Sequence, residues 1–497
     1  MPKYKHYSYD QTILIPIDYQ KQLIPGTFEH TLNYLVDNKM DLSIFEKYYN
    51  NDITGAPAWD PAIMLKIVIF GYSKGILSSR SLAEACQNHI IFKALSANSQ
   101  PHFTTIASFI SEMKEEILPI FRSILMVCSE LDLIGGDTFA IDGCKLSSNA
   151  AKEWSGTFAD LKKKKEKFER SARFLLEKHK INDQHETDYS EKEKARKQID
   201  RILKKAEKIE KFLQESEPKD GKRGRENQSN ITDNESAKMQ TSKGVVQGYN
   251  GLAVSDSKHQ VIVYAEAFGS GQEGQFLKSM VEQSQKLLTD MDQTPEVCMY
   301  LADTNYFSED NLLYLANSEI DAVIPDPFFR QRDPRFADQA RHKQKKHHFT
   351  QDDFLYDAQS NKYICPAGKV LASRGTRKLG DNHGRRYEAK QKDCSACELR
   401  DKCLQSPKAK CRTLFIIDYI DNRNYSEEMK QKIDTEQGRE LYSKRMGIVE
   451  PVFANITYCK RMNRLSLRSK AKVNIQWLLF CLVHNIGKIN SARVLPI

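Results

Sequence analysis

Asp137-Thr138-Phe139-Ala140-Ile141-Asp142-Gly143 decides how this chain folds. Its centre is apolar and β-prone and it runs into a carboxylate, which predicts a short buried strand ending at Asp142 with a turn at Gly143. A second run, Val297-Cys298-Met299-Tyr300-Leu301-Ala302-Asp303, again ends on an acid. Between them, Tyr249 to Val254 and Val261 to Phe268 predict two strands joined by a turn at Ser255-Asp256-Ser257, then a helix through Phe276, Met280 and Leu287. Asn311 to Ala316 predicts a further helix and Ala322 to Pro325 a further strand. Hairpin strands followed by alternating helix and strand predict an α/β fold, a mixed sheet with helices on its faces.

Working outward, residues 1–130 read as an all-α, DNA-binding N-terminal domain. Pro61 is placed as a first-turn proline ahead of Ile63, Met64, Ile67, Val68 and Phe70. Ser81-x-x-Glu84 reads as a capping box, and Thr104 or Thr105 as the cap of a long helix running from Ile106 to Ile124. The tight Gly75-Ile76-Leu77-Ser78 turn suggests a helix-turn-helix, with a plain helical bundle as the alternative. Residues 131–330 read as the first part of a catalytic domain. A charged block at about 157–216 interrupts it, and Leu161, Phe168, Leu175, Ile199, Ile202, Ala206, Ile209 and Phe212 recur there at helical spacing. With a break at Asn182 to Ser190 this predicts a helical hairpin, either a solvated insertion or a grip on DNA phosphates. Residues 217–237 read as a loop and 331–411 as a polar, cysteine-bearing insertion. Residues 412–497 complete the catalytic domain with helices at about 425–446, 451–460 and 471–488.

The bulk numbers narrow the class. At 497 residues, 40% hydrophobic and 28% charged with mean hydropathy -0.59, the chain is ordered and heavily charged on its surface. No run approaches the roughly 20 apolar residues of a membrane helix. The polar start Met1-Pro2-Lys3-Tyr4-Lys5 lacks a secretory core, so a cytoplasmic, nucleoid-associated protein is expected. A net charge of +9 favours a polyanionic partner. In a reducing compartment the 11 cysteines are not a disulfide framework. Cys86, Cys128, Cys144, Cys298, Cys459 and Cys481 are scattered. Cys394-x-x-Cys397, Cys403 and the upstream Cys365 supply four thiols, the usual set for a structural Zn²⁺ site, with Cys411, His347 and His348 as competing ligands. A metal there would replace the core that so polar a segment lacks.

Two strand-end aspartates and a third acid, Glu450, give the chemistry. Each alone reads as an ordinary structural acid. Together they suit phosphodiester cutting and joining, which takes two divalent cations ~3.5–4 Å apart, and hard oxygen ligands suit Mg²⁺ or Mn²⁺. Pro451 disfavours α conformation at Glu450, predicting that acid at a helix mouth with Pro451 as the first helical residue. Tyr442 and Arg445 would share one helical face, with Arg445 free to grip a phosphate or to form a surface ion pair. Lys444, Arg445, Lys460, Arg461, Arg464, Arg468, Lys470 and Lys472 form a candidate DNA-backbone track.

Ala140-Ile141-Asp142-Gly143-Cys144-Lys145 with Asn149-Ala150 resembles the first-acid motif of the DDE transposases of bacterial insertion sequences. Leu301-Ala302-Asp303-Thr304-Asn305-Tyr306-Phe307-Ser308 resembles their second-acid motif. Tyr442-x-x-Arg445 with Val449-Glu450-Pro451-Val452-Phe453 resembles the third, a Tyr-Arg-Glu signature. Residues 60 to 125, with Ser79-Arg80-Ser81-Leu82 and Pro101-His102-Phe103-Thr104-Thr105-Ile106, resemble the family's helical N-terminal domain. The resemblance implies an RNase H-like catalytic fold with insertions, and Asp142, Asp303 and Glu450 as catalytic and metal-binding acids. It also implies Tyr442, Arg445, Lys460 and Arg461 on DNA phosphates, and Mg²⁺-dependent cleavage at terminal inverted repeats followed by strand transfer into target DNA. Bringing two DNA ends together implies a homodimer or higher oligomer. A nuclease that cuts without joining, and a non-catalytic zinc-containing regulator of transposase descent, are the rival readings. Two features depart from the family: Thr457 stands where a lysine is common, and the Arg445-to-Glu450 spacing is one residue longer than the commonest form.

Overall fold

The computed structural model describes residues 16–49, 57–182, 189–221, 224–242, 244–291, 298–339, 348–351, 353–379, 382–404, 406, 408–417 and 423–492. It divides into two compact units, one of Met1–Asp220, Glu226–Ala302 and Ser443–Ile497, the other of Gly221–Arg225 and Asp303–Tyr442.

The first unit holds a mixed sheet of β1 (Thr138–Ser147), β2 (Ala237–Thr241), β3 (Gly244–Asp256), β4 (Ile262–Phe268) and β5 (Met299–Leu301). β1 is central: it pairs antiparallel with β3 and parallel with β5, with Ala140 opposite Leu301. β4 pairs antiparallel with β3 on its other edge, and β2 pairs with the first residues of β3. Phe139, Ala140 and Ile141 are fully buried, as expected of a strand covered on both faces. β1 does not end at Asp142. Pairing continues through Gly143 opposite Leu252 to Ser147 opposite Gly248, so the expected turn is strand and Asp142 lies mid-strand. β3 begins five residues earlier than its apolar run suggests.

The helices before β1 include α1 (Phe28–Asn38), α2 (Pro61–Ser73), α3 (Ser79–Asn88), α4 (Phe103–Glu112) and α5 (Ile117–Glu130). Pro61 does open α2, capped by Asp60, whose carboxylate accepts from the Ala62 amide at 2.7 Å. Gly75, at φ +73°, makes the turn between α2 and α3. The capping-box expectation fails because α3 already starts at Ser79, leaving Ser81 inside it. The single long helix from Ile106 to Ile124 is two helices. His102 caps the first, which stops at Met113 (ψ 46°). α6 (Phe158–Asn182) and α7 (Tyr189–Glu215) pack on each other as the expected hairpin. α8 (Leu277–Thr289) covers β4 and β3.

The C-terminal helix, α12 (Lys470–Ala492), is buried without a break from Ile475 to Ile486 and packs against α1, α2, α4, α5 and β4. Its buried polar groups are satisfied: Asn485 bonds both the amide and the carbonyl of Ile262, and Trp477 donates to the Leu252 carbonyl at 3.0 Å. No helix of the described residues is long and apolar enough to cross a membrane.

The second unit contains α9 (Glu309–Asn317), a short strand β6 (Asp321–Val323) and α10 (Tyr425–Asp434). It also contains an antiparallel sheet, β7 (Leu355–Asp357), β8 (Lys362–Ile364), β9 (Val370–Leu379), β10 (Asn382–Ala389) and β11 (Thr413–Ile417), paired in that order. This sheet closes on its own small core of Phe354, Tyr363, Leu371, Tyr387, Ala389 and Leu414. The cysteine-bearing segment therefore does have a core, contrary to its polar composition.

α11 (Glu436–Ala454) runs straight through Glu450 and Pro451, and a π-helical turn, Asn455–Cys459, follows. This corrects the expected helix start at Pro451. Proline inside a helix forfeits one main-chain bond, here to the Gly447 carbonyl. Ile448, Val449 and Val452 are buried on the same helix, and their packing outweighs the local cost.

Candidate active site

Asp142 leaves the middle of β1 with its carboxylate folded along the strand, Oδ1 accepting from the Gly143 amide at 2.9 Å. Its Oδ2 meets the Arg445 guanidinium at 2.9 Å. Arg445 lies on the inward stripe of α11 with Ile448, Val449 and Val452, and its side chain is 9% exposed against 24% for Asp142. The pair is thus half-screened, and its short charge-assisted contact fastens the third-motif helix to the first-motif strand. Of the two readings of Arg445, a phosphate grip or a surface ion pair, the structure shows an ion pair, formed by a largely buried guanidinium.

Gly143 has close neighbours. A Cβ there would come 2.3 Å from Leu252 Cδ2, 2.8 Å from Glu273 Oε2 and 3.0 Å from Asn250 Oδ1. Glu273, which sequence reasoning missed, is 8% exposed and sits just before the short turn that opens α8. Asn250 Nδ2 donates to Glu273 Oε2 at 3.4 Å, while its Oδ1 is buried and has no hydrogen-bond partner among the described residues. Burial raises the Cys144 thiol far above its usual range, and the charges of Asp142 and Glu273 add to the rise. The signal for Glu273 was an acid in a glycine-rich link, Gly269-Ser270-Gly271-Gln272-Glu273-Gly274, between a strand and a helix.

Glu450 is exposed, on the stripe of α11 that also carries Ser443, Met446 and Gly447. It is five residues beyond Arg445, about 7.5 Å along the helix axis. In the second unit, Asp303 caps a short turn, Oδ1 accepting from the Asn305 amide at 2.9 Å and Oδ2 from the Asn305 side chain at 3.2 Å. Tyr442 packs edge-on against Phe329, ring centroids 5.5 Å apart.

Lys460 is held over the Phe28 ring at 5.7 Å, and burial, with Lys74 nearby, lowers its pKa. Arg461, exposed at φ +57°, packs on Gly75 at the α2–α3 turn. Part of the basic track is spent on structure. Arg468 Nε donates to the Asn149 carbonyl at 2.9 Å, and Lys470 pairs with Glu266 at 2.8 Å.

The donor chemistry fits a hard divalent cation. Asp142 offers carboxylate oxygens of the kind such an ion takes, while Glu273 and Asn250 lie beside the Cβ position of Gly143, toward the other face of β1. Among the described residues no three His, Cys, Asp or Glu side chains are set to hold a metal ion as they stand.

The four cysteines do come together. Cys365, Cys394, Cys397 and Cys403 line one small cavity with Phe349, Leu371 and Arg412. Burial pushes the Cys403 thiol up, Arg412 pulls it back, and the other three thiols add to the rise. Cys411 instead points its Sγ at Glu388 Oε1, 3.7 Å away. His348 Nδ1 is buried with no partner among the described residues, and His347 lies outside them.

Comparison with known families gives two matches. Residues 364–490 match a family described as a transposase DDE domain, and residues 18–112 match a transposase domain (DUF772). The first covers Arg445 and Glu450; neither covers Asp142 or Asp303. No curated protein matches the chain.

Proposed function

We propose, from the two transposase families it matches, that the chain is a DDE transposase of insertion-sequence type that cleaves DNA at transposon ends and joins the freed 3′-hydroxyl to target DNA. Asp142, Asp303 and Glu450 are the proposed catalytic acids. The observation that carries the reading is the Arg445–Asp142 pair, because it brings a residue of the third motif onto the acid of the first. Glu450 follows on the same helix, five residues on and on its exposed stripe. β5 runs parallel beside β1 with Leu301 opposite Ala140, and Asp303 follows Leu301 by the same two residues as Asp142 follows Ala140. The strand order β4-β3-β1-β5 agrees with the RNase H-like domain that the family resemblance implies.

Two Mg²⁺ or Mn²⁺ ions would supply activation of the attacking oxygen and stabilisation of the leaving oxygen. The three carboxylates would hold them, and rigid β1 fixes the first. Arg445 gives Asp142 a counter-charge, and a phosphate oxygen entering the site would compete for the same guanidinium. Tyr442, Lys460 and Arg461 are proposed to contact DNA phosphates, with Lys460 and Arg461 lying near the turn between α2 and α3. Cys365, Cys394, Cys397 and Cys403 are proposed to hold a structural Zn²⁺, since thiolates crowded round one cavity repel until a cation joins them. Double-stranded DNA is the partner, and synapsis of two ends calls for a homodimer or higher oligomer working at the nucleoid.

The test incubates the protein and Mg²⁺ with DNA taken from either side of its own gene. Cleavage at inverted repeats followed by joined products is expected. Cleavage without joining supports a nuclease, and binding without cleavage supports a regulator. Equal cutting by wild type and Asp303→Ala would remove the metal-site reading.

A further inference from the structure

We propose that Tyr458 is a DNA-positioning residue, its ring the platform on which an unpaired base of the DNA strand stacks beside Glu450. The inference rests on the reading of Glu450 as a catalytic acid and deepens it by assigning a contact to the nucleobase.

Tyr458 is 85% exposed, more than any other large hydrophobic side chain among the described residues. A single exposed ring is ordinary on a protein surface. The backbone that holds this one is not. It sits in the π-helical turn Asn455–Cys459 that follows α11, where the Lys460 amide donates to the Asn455 carbonyl at 2.8 Å. Such turns are rare and recur at functional sites. The chain then passes through Arg461 at φ +57°, a conformation uncommon for a residue with a side chain. The turn is anchored on either side of the ring. Ile456 is fully buried, the Asn455 side-chain amide meets His484 Nδ1 at 2.8 Å, and Arg461 packs on Gly75. Tyr458 is therefore an outward ring on a fixed backbone, as a stacking platform requires.

The π-turn also sets the direction of the ring. Tyr458 is eight residues beyond Glu450, and an unbroken α-helix would carry it roughly 80° around the axis. The residue that a π-turn adds takes back about one α-helical step, leaving the two within roughly 20° of each other. Exposure agrees: Glu450, Ala454 and Tyr458 are exposed, while Val449, Val452 and Ile456 are buried. Along the axis they are about 10 Å apart, roughly three nucleotide steps of a strand. One ring offers too little apolar area for a protein partner, whereas every base has a face that stacks on it. Exposed Arg461 and Arg464 follow, with positive charge for the strand's phosphates.

The experiment uses the full chain and DNA from either side of its gene. Wild-type cleavage in Mg²⁺ first maps the cut. Affinity is then measured by fluorescence anisotropy with Ca²⁺ in place of Mg²⁺, on intact DNA and on DNA carrying an abasic site at each position near the cut in turn. Wild type, Tyr458→Phe and Tyr458→Ala are compared, with the melting temperature as the check on folding; Tyr458→Gln carries the test if the Ala variant does not fold. Tyr458→Ala should bind intact DNA about 5–150-fold more weakly. An abasic site at one position within about three nucleotides of the cut should weaken wild type by a like factor and leave Tyr458→Ala almost unaffected, and Tyr458→Phe should match wild type throughout. Wild type and Tyr458→Ala responding equally at every position would overturn this proposal and leave the role of Glu450 standing. Tyr458→Phe as weak as Tyr458→Ala would assign the effect to the hydroxyl and overturn it too. A wild type that does not cut this DNA would overturn the reading of Glu450 and this proposal with it.

Discussion

Replacing Arg445 by methionine removes a charge and keeps most of the side chain's length. It leaves Asp142 facing a largely apolar stripe of α11. Removing one partner of a fully buried ion pair costs ~3–5 kcal/mol. Asp142 is 24% exposed, so water recovers part of that, and a loss of ~1–3 kcal/mol is expected. In Arg445→Met with Asp142→Asn both charges are gone, and the double variant should regain much of the loss, giving a coupling energy above ~1 kcal/mol. Urea unfolding of the four proteins, followed through tryptophan emission, measures it. Trp477 is fully buried against β3 and reports on the unit that holds the pair. Midpoints are compared at matched slopes. Single-variant losses that simply add, within ~0.3–0.5 kcal/mol, would mean that the pair contributes nothing in solution and would refute the reasoning.

Other consequences are as direct. His484 Nε2 donates to the Gln260 carbonyl at 2.8 Å and its Nδ1 meets the Asn455 amide at 2.8 Å, while burial lowers its pKa from 6.5 to about 4. The unfolded chain therefore binds the extra proton first. The contribution to stability is full above pH 6.5 and is lost as pH falls toward 4, by up to ~3 kcal/mol. His484→Gln should lack that part of the pH dependence, and parallel stability curves for the two proteins from pH 7 to 4 would contradict the assignment. Purified wild type should carry about one zinc per chain and Cys403→Ser much less; equal metal content would count against the thiol site. Gly143→Ala puts a methyl group 2.3 Å from Leu252 and should cost ~1–3 kcal/mol, with Leu252→Ala relieving part of it. An unchanged melting temperature would show that the strand has room there.

The sheet was legible because its strands are apolar on both faces, and buried runs such as Phe139 to Ile141 announce themselves. The end of β1 was not, because whether Gly143 turns or pairs depends on Leu252, far along the chain. Pro451 misled for the same reason: a local preference lost to the packing of Ile448, Val449 and Val452. The cysteine-bearing sheet hid behind its charges. Arg374, Arg377 and Lys378 on β9 are exposed, so only a few core positions such as Leu371 carried any apolar signal. At the site, the local sequences around Asp142, Asp303 and Glu450 singled them out through their resemblance to the three DDE motifs. The Arg445–Asp142 contact and the approach of Glu273 to Gly143 join residues remote in sequence, and no local pattern encodes either.

The central claim is that three acids from separate motifs act on one phosphodiester. Its most direct measurement is the rate of DNA end cleavage by Asp142→Asn, Asp303→Asn and Glu450→Gln, each alongside its affinity for the same DNA. All three are expected to lose at least about a hundredfold in rate while binding DNA nearly as wild type does. Wild-type cleavage by any folded one of them would contradict the account.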